Sequence, residues 1–193
     1  MNTCLLLTEL QSKYGFDESR WEELLAHFST TTATKNQILF KAGDIVTCTY
    51  FVIKGCLRLY YVSPEGVERT IYIAEERAFI SDHMSCLHDL PTKFNIQALE
   101  DSELLMIDRP NWEHAITTIP DFTLYYIKNH QRVIAALREE LGKNKTETPD
   151  EKYERLLTEK PHLLQRLPLY HIAAYLGVTQ ETLSRVRKRR SQH

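Results

Sequence analysis

Five residues near the C-terminus have types and spacing suited to reading an edge-on pattern of donors and acceptors: Thr179, Gln180, Glu181, Thr182 and Arg185. A glutamine can pair bidentately with adenine, a glutamate can accept from cytosine N4, and a threonine methyl suits thymine. Arg185 follows Glu181 by four residues, one helical turn, where it can reach guanine or be held by Glu181. Arg187 and Lys188 come next, then Arg189 and Arg190. Such cations neutralise phosphates, which gives affinity rather than specificity. For Arg189 and Arg190 a solvated, frayed helix end is an equally good reading.

These side chains need two short helices crossing steeply, and Leu169 to Lys188 meets that need position by position. Ala173 is small where the helices would touch. Gly177 tolerates the positive φ of the turn. Ile172, Leu176, Val178, Leu183 and Val186 fall on inward faces, and Thr179 stands where the second helix needs a cap. The set has helix-turn-helix spacing. An ordinary helical hairpin would not require a polar outer face ending in a basic cluster.

Charge is divided in the same way. From Glu151 onward there are nine Lys/Arg and four Asp/Glu, a net of +5, which leaves −7 for the rest of a chain whose total is −2. An acidic body with a basic end suits an anionic partner for that end, and on charge alone a solvated basic helix is an equally good reading.

Upstream, the chain must supply a core and a platform. Ser19 to Glu22 reads as a capping box opening a helix with Trp21, Leu24, Leu25 and Phe28 on one face. Beyond Thr34, short runs rich in β-branched and aromatic residues occur at Gln37–Phe40, Thr49–Ile53, Cys56–Val62, Arg69–Ile73, Phe94–Leu99 and Leu104–Ile107. Turn signals at Gly43-Asp44, Lys54-Gly55 and Ser63 to Gly66 separate the first of them. This spacing predicts a compact antiparallel barrel or roll. From about Asp108 the pattern is helical. Phe122, Tyr126, Val133, Leu137 and Leu141 form a nearly heptad stripe; such a helix can pack wholly within its own chain or pair with a second copy, and its length and spacing favour pairing. Gly142 to Lys145 reads as a break and connector, followed by a capping box at Thr148 to Glu151 with Pro149 in the first helical position.

The fold class expected is α+β: an antiparallel β-roll (double-stranded β-helix) with flanking helices, a long dimerisation helix, and a small all-α helix-turn-helix domain. The divisions expected are 1–118, 119–145 and 146–193. MNTCLLLTEL lacks the basic start and cleavage signal of an export peptide, and no run reaches membrane-span length, so a cytoplasmic location is expected. Cys4, Cys48, Cys56 and Cys86 are too scattered for a zinc knuckle or a disulfide framework.

Together these features resemble the Crp/Fnr family of transcription regulators over nearly the whole chain. The marks are Phe40-Lys41-Ala42-Gly43-Asp44, the step Phe51 to Gly55, the hairpin at Gly66, and Ala174 to Arg185. The resemblance implies a cyclic-nucleotide-binding-type roll, a homodimer along the long helix and a two-fold symmetric double-stranded DNA operator. RNA polymerase and a small-molecule effector are candidate partners. Nucleotide-binding members carry Gly-Glu for the ribose and Arg-Ser or Arg-Thr for the cyclic phosphate. Ser81 and Asp82 stand at the first pair, Thr92 and Lys93 at the second. Asp82 is shorter than Glu, and Thr92 lacks the guanidinium fork. The effector pocket expected from Ser81, Asp82, His83, Thr92 and Lys93 is therefore an altered one, not suited to cyclic AMP in the usual way. Cys4 alone does not make an iron–sulfur cluster, and no haem ligands are assigned, so no cofactor is expected. The few residues after Arg190 imply a missing or minimal wing.

Two other classes compete. A cupin-type metalloenzyme would share the strands but needs clustered His and Glu ligands, and the eight histidines include no i, i+2 pair. No nucleophile or phosphate-loop motif occurs, so neither a catalytic residue nor a metal is expected. A module answering to a ligand or protein without touching DNA is the remaining alternative.

Overall fold

The computed structural model describes residues 3–190. It opens with α1 (Cys4–Tyr14), α2 (Trp21–Leu25), β1 (Ser29–Ala33), β2 (Ile38–Phe40), β3 (Cys48–Lys54), β4 (Leu57–Val62), β5 (Glu68–Ala74) and β6 (Phe79–Ile80). Then come α3 (His83–His88), β7 (Asn95–Ala98), β8 (Ser102–Asp108), α4 (Arg109–Thr118) and α5 (Pro120–Thr146), and finally α6 (Pro149–Glu159), α7 (Leu163–Arg166), α8 (Leu169–Leu176) and α9 (Gln180–Arg190).

The strands form two four-stranded sheets, in the orders β1-β8-β3-β6 and β2-β7-β4-β5. Strand β8 pairs antiparallel with both β1 and β3, with Met106 opposite Ser29 on one side and Tyr50 on the other. Side-chain alternation along β3 and β8 explains why both are continuous apolar runs. Tyr50, Val52 and Leu104 face Leu57, Ile80 and Ile96 inside the roll. Phe51, Ile53, Leu105 and Ile107 face outward and are covered by Leu6 and Leu10 of α1, Trp112 of α4, and Phe122 and Tyr125 of α5. A strand buried on both faces has no polar side to show.

The chain makes two compact units, one from residues through Leu59 with Ile73–Ile134, the other from Tyr60–Tyr72 with the chain from Ala135 onward. The second buries Tyr153, Leu156, Leu163, Leu167, Ile172, Leu176, Leu183 and Val186.

Each of the six runs read as strands falls on a strand, and the capping box of α6 forms, Thr148 Oγ1 accepting from Glu151 N while Glu151 accepts from Thr148 N at 2.8 Å. Two expectations need correction. Gly142 does not break the long helix, because α5 continues to Thr146. A lone helical glycine costs only about 1 kcal/mol relative to alanine, and here Lys143 pairs with Glu139 at 2.6 Å across the preceding turn. Ser19 does not open a capping box. The Asp17 carboxylate takes the Ser19 N–H at 2.9 Å and caps a 3₁₀ turn, so α2 begins only at Trp21. His83 to His88 form helix α3, capped by Asp82. Among the described residues no helix is long and apolar enough to cross a membrane.

Candidate nucleic-acid interface

The last two helices are joined as the residue types demand. Gly177 ends α8 at φ 69°, ψ 26°, the left-handed region that costs a side chain dearly, and its N–H returns to Ala173 O. Val178 N also donates to Ala173 O, at 3.0 Å, so the small residue at the crossing anchors the turn. Thr179 caps the next helix: its Oγ1 accepts from Thr182 N at 3.1 Å and lies 2.9 Å from the Thr182 hydroxyl. Leu183 and Val186 are buried, whereas Thr179, Gln180, Glu181, Arg185, Arg187 and Lys188 are exposed and Thr182 half-exposed. The first turn of α9 therefore presents its polar side chains outward from a fixed apolar base. Arg185 Nε donates to the main-chain carbonyl of Glu181 at 3.4 Å, so the residue that steadies it is Glu181, through its backbone.

The structure separates the basic end of α9 into two sets. Arg189 donates to both carboxylate oxygens of Asp150, at 2.8 and 2.7 Å, and Arg190 is paired with Glu154. Both arginines are about half exposed and ion-paired within the chain. Asp150 and Glu154 were missed in the sequence because a tertiary ion pair leaves no periodic signal. Arg155 was missed too. It receives Glu140 from α5 as a two-bond fork, and Glu147 from the connector.

The stripe on α5 also divides. Phe122 is fully buried and Tyr126 packs half-buried against the same cluster, so both serve the core of the chain itself. Val133, Leu137 and Leu141 are 46, 50 and 62% exposed, joined by Leu124, Ile127 and Ile134.

In the cassette, Asp82, Thr92 and Ser81 are brought into one hydrogen-bonded locality but bond to protein. Asp82 Oδ1 accepts from Met84 N and Ser85 N, and Oδ2 accepts from the Thr92 hydroxyl at 2.6 Å. Thr92 is buried and accepts from Phe94 N, while Ser81 donates to Cys48 O at 3.0 Å. Lys93 is exposed. His83 turns elsewhere, toward the rings of Trp112 and His130, with centroids 6.2 and 5.2 Å away. His130 Nδ1 lies 2.9 Å from Tyr126 O, and since a carbonyl only accepts, that nitrogen carries the proton. Burial first, then His130, pushes the His83 imidazole down to about 4, against the pull of Asp82. The expectation of a missing or minimal wing after Arg190 falls on residues 191–193, outside the described ones.

Residues 30–118 match the family model of the cyclic nucleotide-binding domain. No curated protein matches the chain. Solved structures are similar over most of its length. The CooA mutant of Carboxydothermus hydrogenoformans is 20% identical with a TM-score of 0.71, covering 95% of this chain and 83% of its own. The c-di-GMP-responsive global regulator CLP of Xanthomonas campestris is 17% identical with a TM-score of 0.70, covering 91% and 92%. A protein of Eubacterium rectale described as a Crp/Fnr-family transcriptional regulator is 17% identical with a TM-score of 0.69, covering 89% and 82%. Residues 30–118 are thus similar to the cyclic nucleotide-binding domain, and over most of its length the chain has the fold of these solved structures, a Crp/Fnr-family regulator among them.

Proposed function

We propose that the chain is a sequence-specific DNA-binding transcription regulator that acts as a homodimer. The observation that carries this reading is the first turn of α9: Thr179, Gln180, Glu181 and Thr182 stand outward above buried Leu183 and Val186, on a helix whose start is fixed by Thr179 and Gly177. A rigid helix end with that chemistry suits the major groove. Arg185 would read guanine, while Arg187 and Lys188 would neutralise phosphates. The exposed residues Ile127, Ile134, Leu137 and Leu141 follow one another by seven, three and four residues on α5 and support a paired helix, which would set two copies of α9 on a two-fold symmetric site. Such a protein works in the cytoplasm, where the DNA is.

The cassette supports an altered effector pocket, because both oxygens of Asp82 are already engaged within the protein. Cyclic AMP is then not the effector, and DNA binding proceeds without it. The fold is the support for two further partners, RNA polymerase and a small molecule of another class.

Selection of genomic fragments by the purified protein at moderate salt, without nucleotide, tests the reading. The expected result is enrichment of a two-fold symmetric site with half-sites about one helical turn (~34 Å) apart, and loss of one base preference in Arg185→Ala. Salt-sensitive binding without sequence preference, unaltered in Arg185→Ala, would count for a module that does not read DNA.

A further inference from the structure

Asp150 and Glu154 lie one turn apart on α6 and present a row of carboxylates to Arg189 and Arg190 at the end of α9. Arg189 Nη2 is 2.8 and 2.7 Å from the two oxygens of Asp150, and Arg190 Nη2 is 2.9 Å from Glu154 Oε1. The four side chains line a cleft of about 300 Å³ whose other walls are Tyr153 and Val186. A guanidinium offers the same fork to a carboxylate and to a phosphate. In the free protein the carboxylates therefore take the bonds that a nucleic-acid backbone would need. All four side chains are about half exposed, and ion pairs this exposed add little to folding, so they are exchangeable.

We propose that Asp150 and Glu154 are intramolecular counter-ions for the basic end of α9, which DNA phosphates must displace, so that these two carboxylates set the strength and salt dependence of DNA binding. The inference rests on the DNA-binding reading of α9. Each phosphate neutralised by a cation contributes about −0.9 to the slope of log K against log salt. Two arginines held by carboxylates withhold up to about two such contacts.

The test is fluorescence anisotropy with a labelled mixed-sequence duplex over a salt series. It compares the full chain with D150N/E154Q, R189Q/R190Q and the combination of all four. D150N/E154Q should bind more tightly, with a slope steeper by about 1–2. R189Q/R190Q should change the slope little alone and remove the whole gain in the D150N/E154Q background. If the arginine substitutions cost the same in both backgrounds, or if D150N/E154Q leaves the slope of a binding wild type unchanged, the counter-ion role is overturned while the DNA reading stands. Binding by D150N/E154Q where the wild type fails would support it. Absence of binding by every variant would overturn both.

Discussion

Asp82 accepts the Thr92 hydroxyl on Oδ2 at 2.6 Å while its Oδ1 takes the N–H groups of Met84 and Ser85, so one carboxylate closes the cassette and caps α3. A hydrogen bond to a charged group contributes about 1.5–3 kcal/mol. Thr92 is only 4% exposed and also serves Phe94 N, so Thr92→Val should lower unfolding free energy in urea by about 2 kcal/mol. A nucleotide at a hundredfold excess over its Kd would add about 2.7 kcal/mol. Cyclic AMP should add nothing to the wild type in the same assay; a rise in stability would show that Asp82 gives up Thr92 for a ligand.

Arg155 places its Nη atoms on both oxygens of Glu140, each at 3.1 Å, and its Nε on Glu147 at 3.0 Å. It thereby ties the last turns of α5 and the connector to α6. Arg155 and Glu147 are 17 and 18% exposed at the side chain, so removing the guanidinium strands a carboxylate with little access to water. Arg155→Ala should destabilise the chain by about 1–3 kcal/mol in thermal or urea unfolding. Arg155→Lys should recover less than half, since a point charge cannot serve two forks. Full recovery by lysine would mean that only net charge matters at this joint.

Why some of this was legible in the sequence and some was not follows from the kind of signal each feature leaves. Gly177, Thr179 and the Leu183/Val186 pair act through local offsets, and local offsets survive in one dimension. Strands such as β3 were legible because burial on both faces leaves an uninterrupted apolar run. The helix α1 was missed although Leu6, Leu10 and Tyr14 step by four, because the same run was weighed only as an export signal. Strand β1 was missed because Ser29 to Thr32 is polar and joins the sheet only through β8, about 75 residues away, with Ser29 opposite Met106. The direction of His83, the acid partners of Arg189 and Arg190, and the fork on Glu140 are tertiary facts, and no periodicity encodes them.

The division of α5 makes a sharp contrast between two apolar residues of one helix. Phe122 is fully buried within the chain, and Phe122→Ala should cost about 3–5 kcal/mol of stability. Leu137 is 50% exposed. Leu137→Glu should leave the melting of the monomer nearly intact and abolish pairing, as read by sedimentation at several concentrations. If Leu137→Glu sediments as the wild type does, the stripe is not the pairing surface.

Gly55 links β3 to β4 at φ +101°, and a Cβ there would meet Asp101 O and Ser102 Cα at 2.8 Å, besides the Ser102 hydroxyl. Backbone atoms of a paired strand cannot withdraw as a flexible side chain can. Gly55→Ala should therefore cost more than the average of about 1 kcal/mol for a point substitution, about 2–4 kcal/mol. By contrast Gly66→Ala at φ +79°, with open space around the added carbon, suffers only the backbone term. Comparable losses in urea unfolding for the two variants would remove the role assigned to Ser102.

His83 makes stability depend on acidity. Burial and the neighbouring His130 push its imidazole down to about 4 in the native state, with Asp82 opposing, against about 6.5 in the unfolded chain. Between those values the unfolded chain holds a proton that the native chain does not, so unfolding binds protons and stability rises with pH. The contribution is fully present above about pH 6.5 and is lost as pH falls toward 4, on the order of 3 kcal/mol in all. His83→Phe keeps an aromatic ring against Trp112 and His130 and has no proton to take up. Urea unfolding of the two proteins from about pH 7 to 4.5 should give curves that diverge on acidification, the wild type losing more. Parallel curves would mean that the His83 ring is hydrated in the native state and that its approach to His130 carries no electrostatic cost.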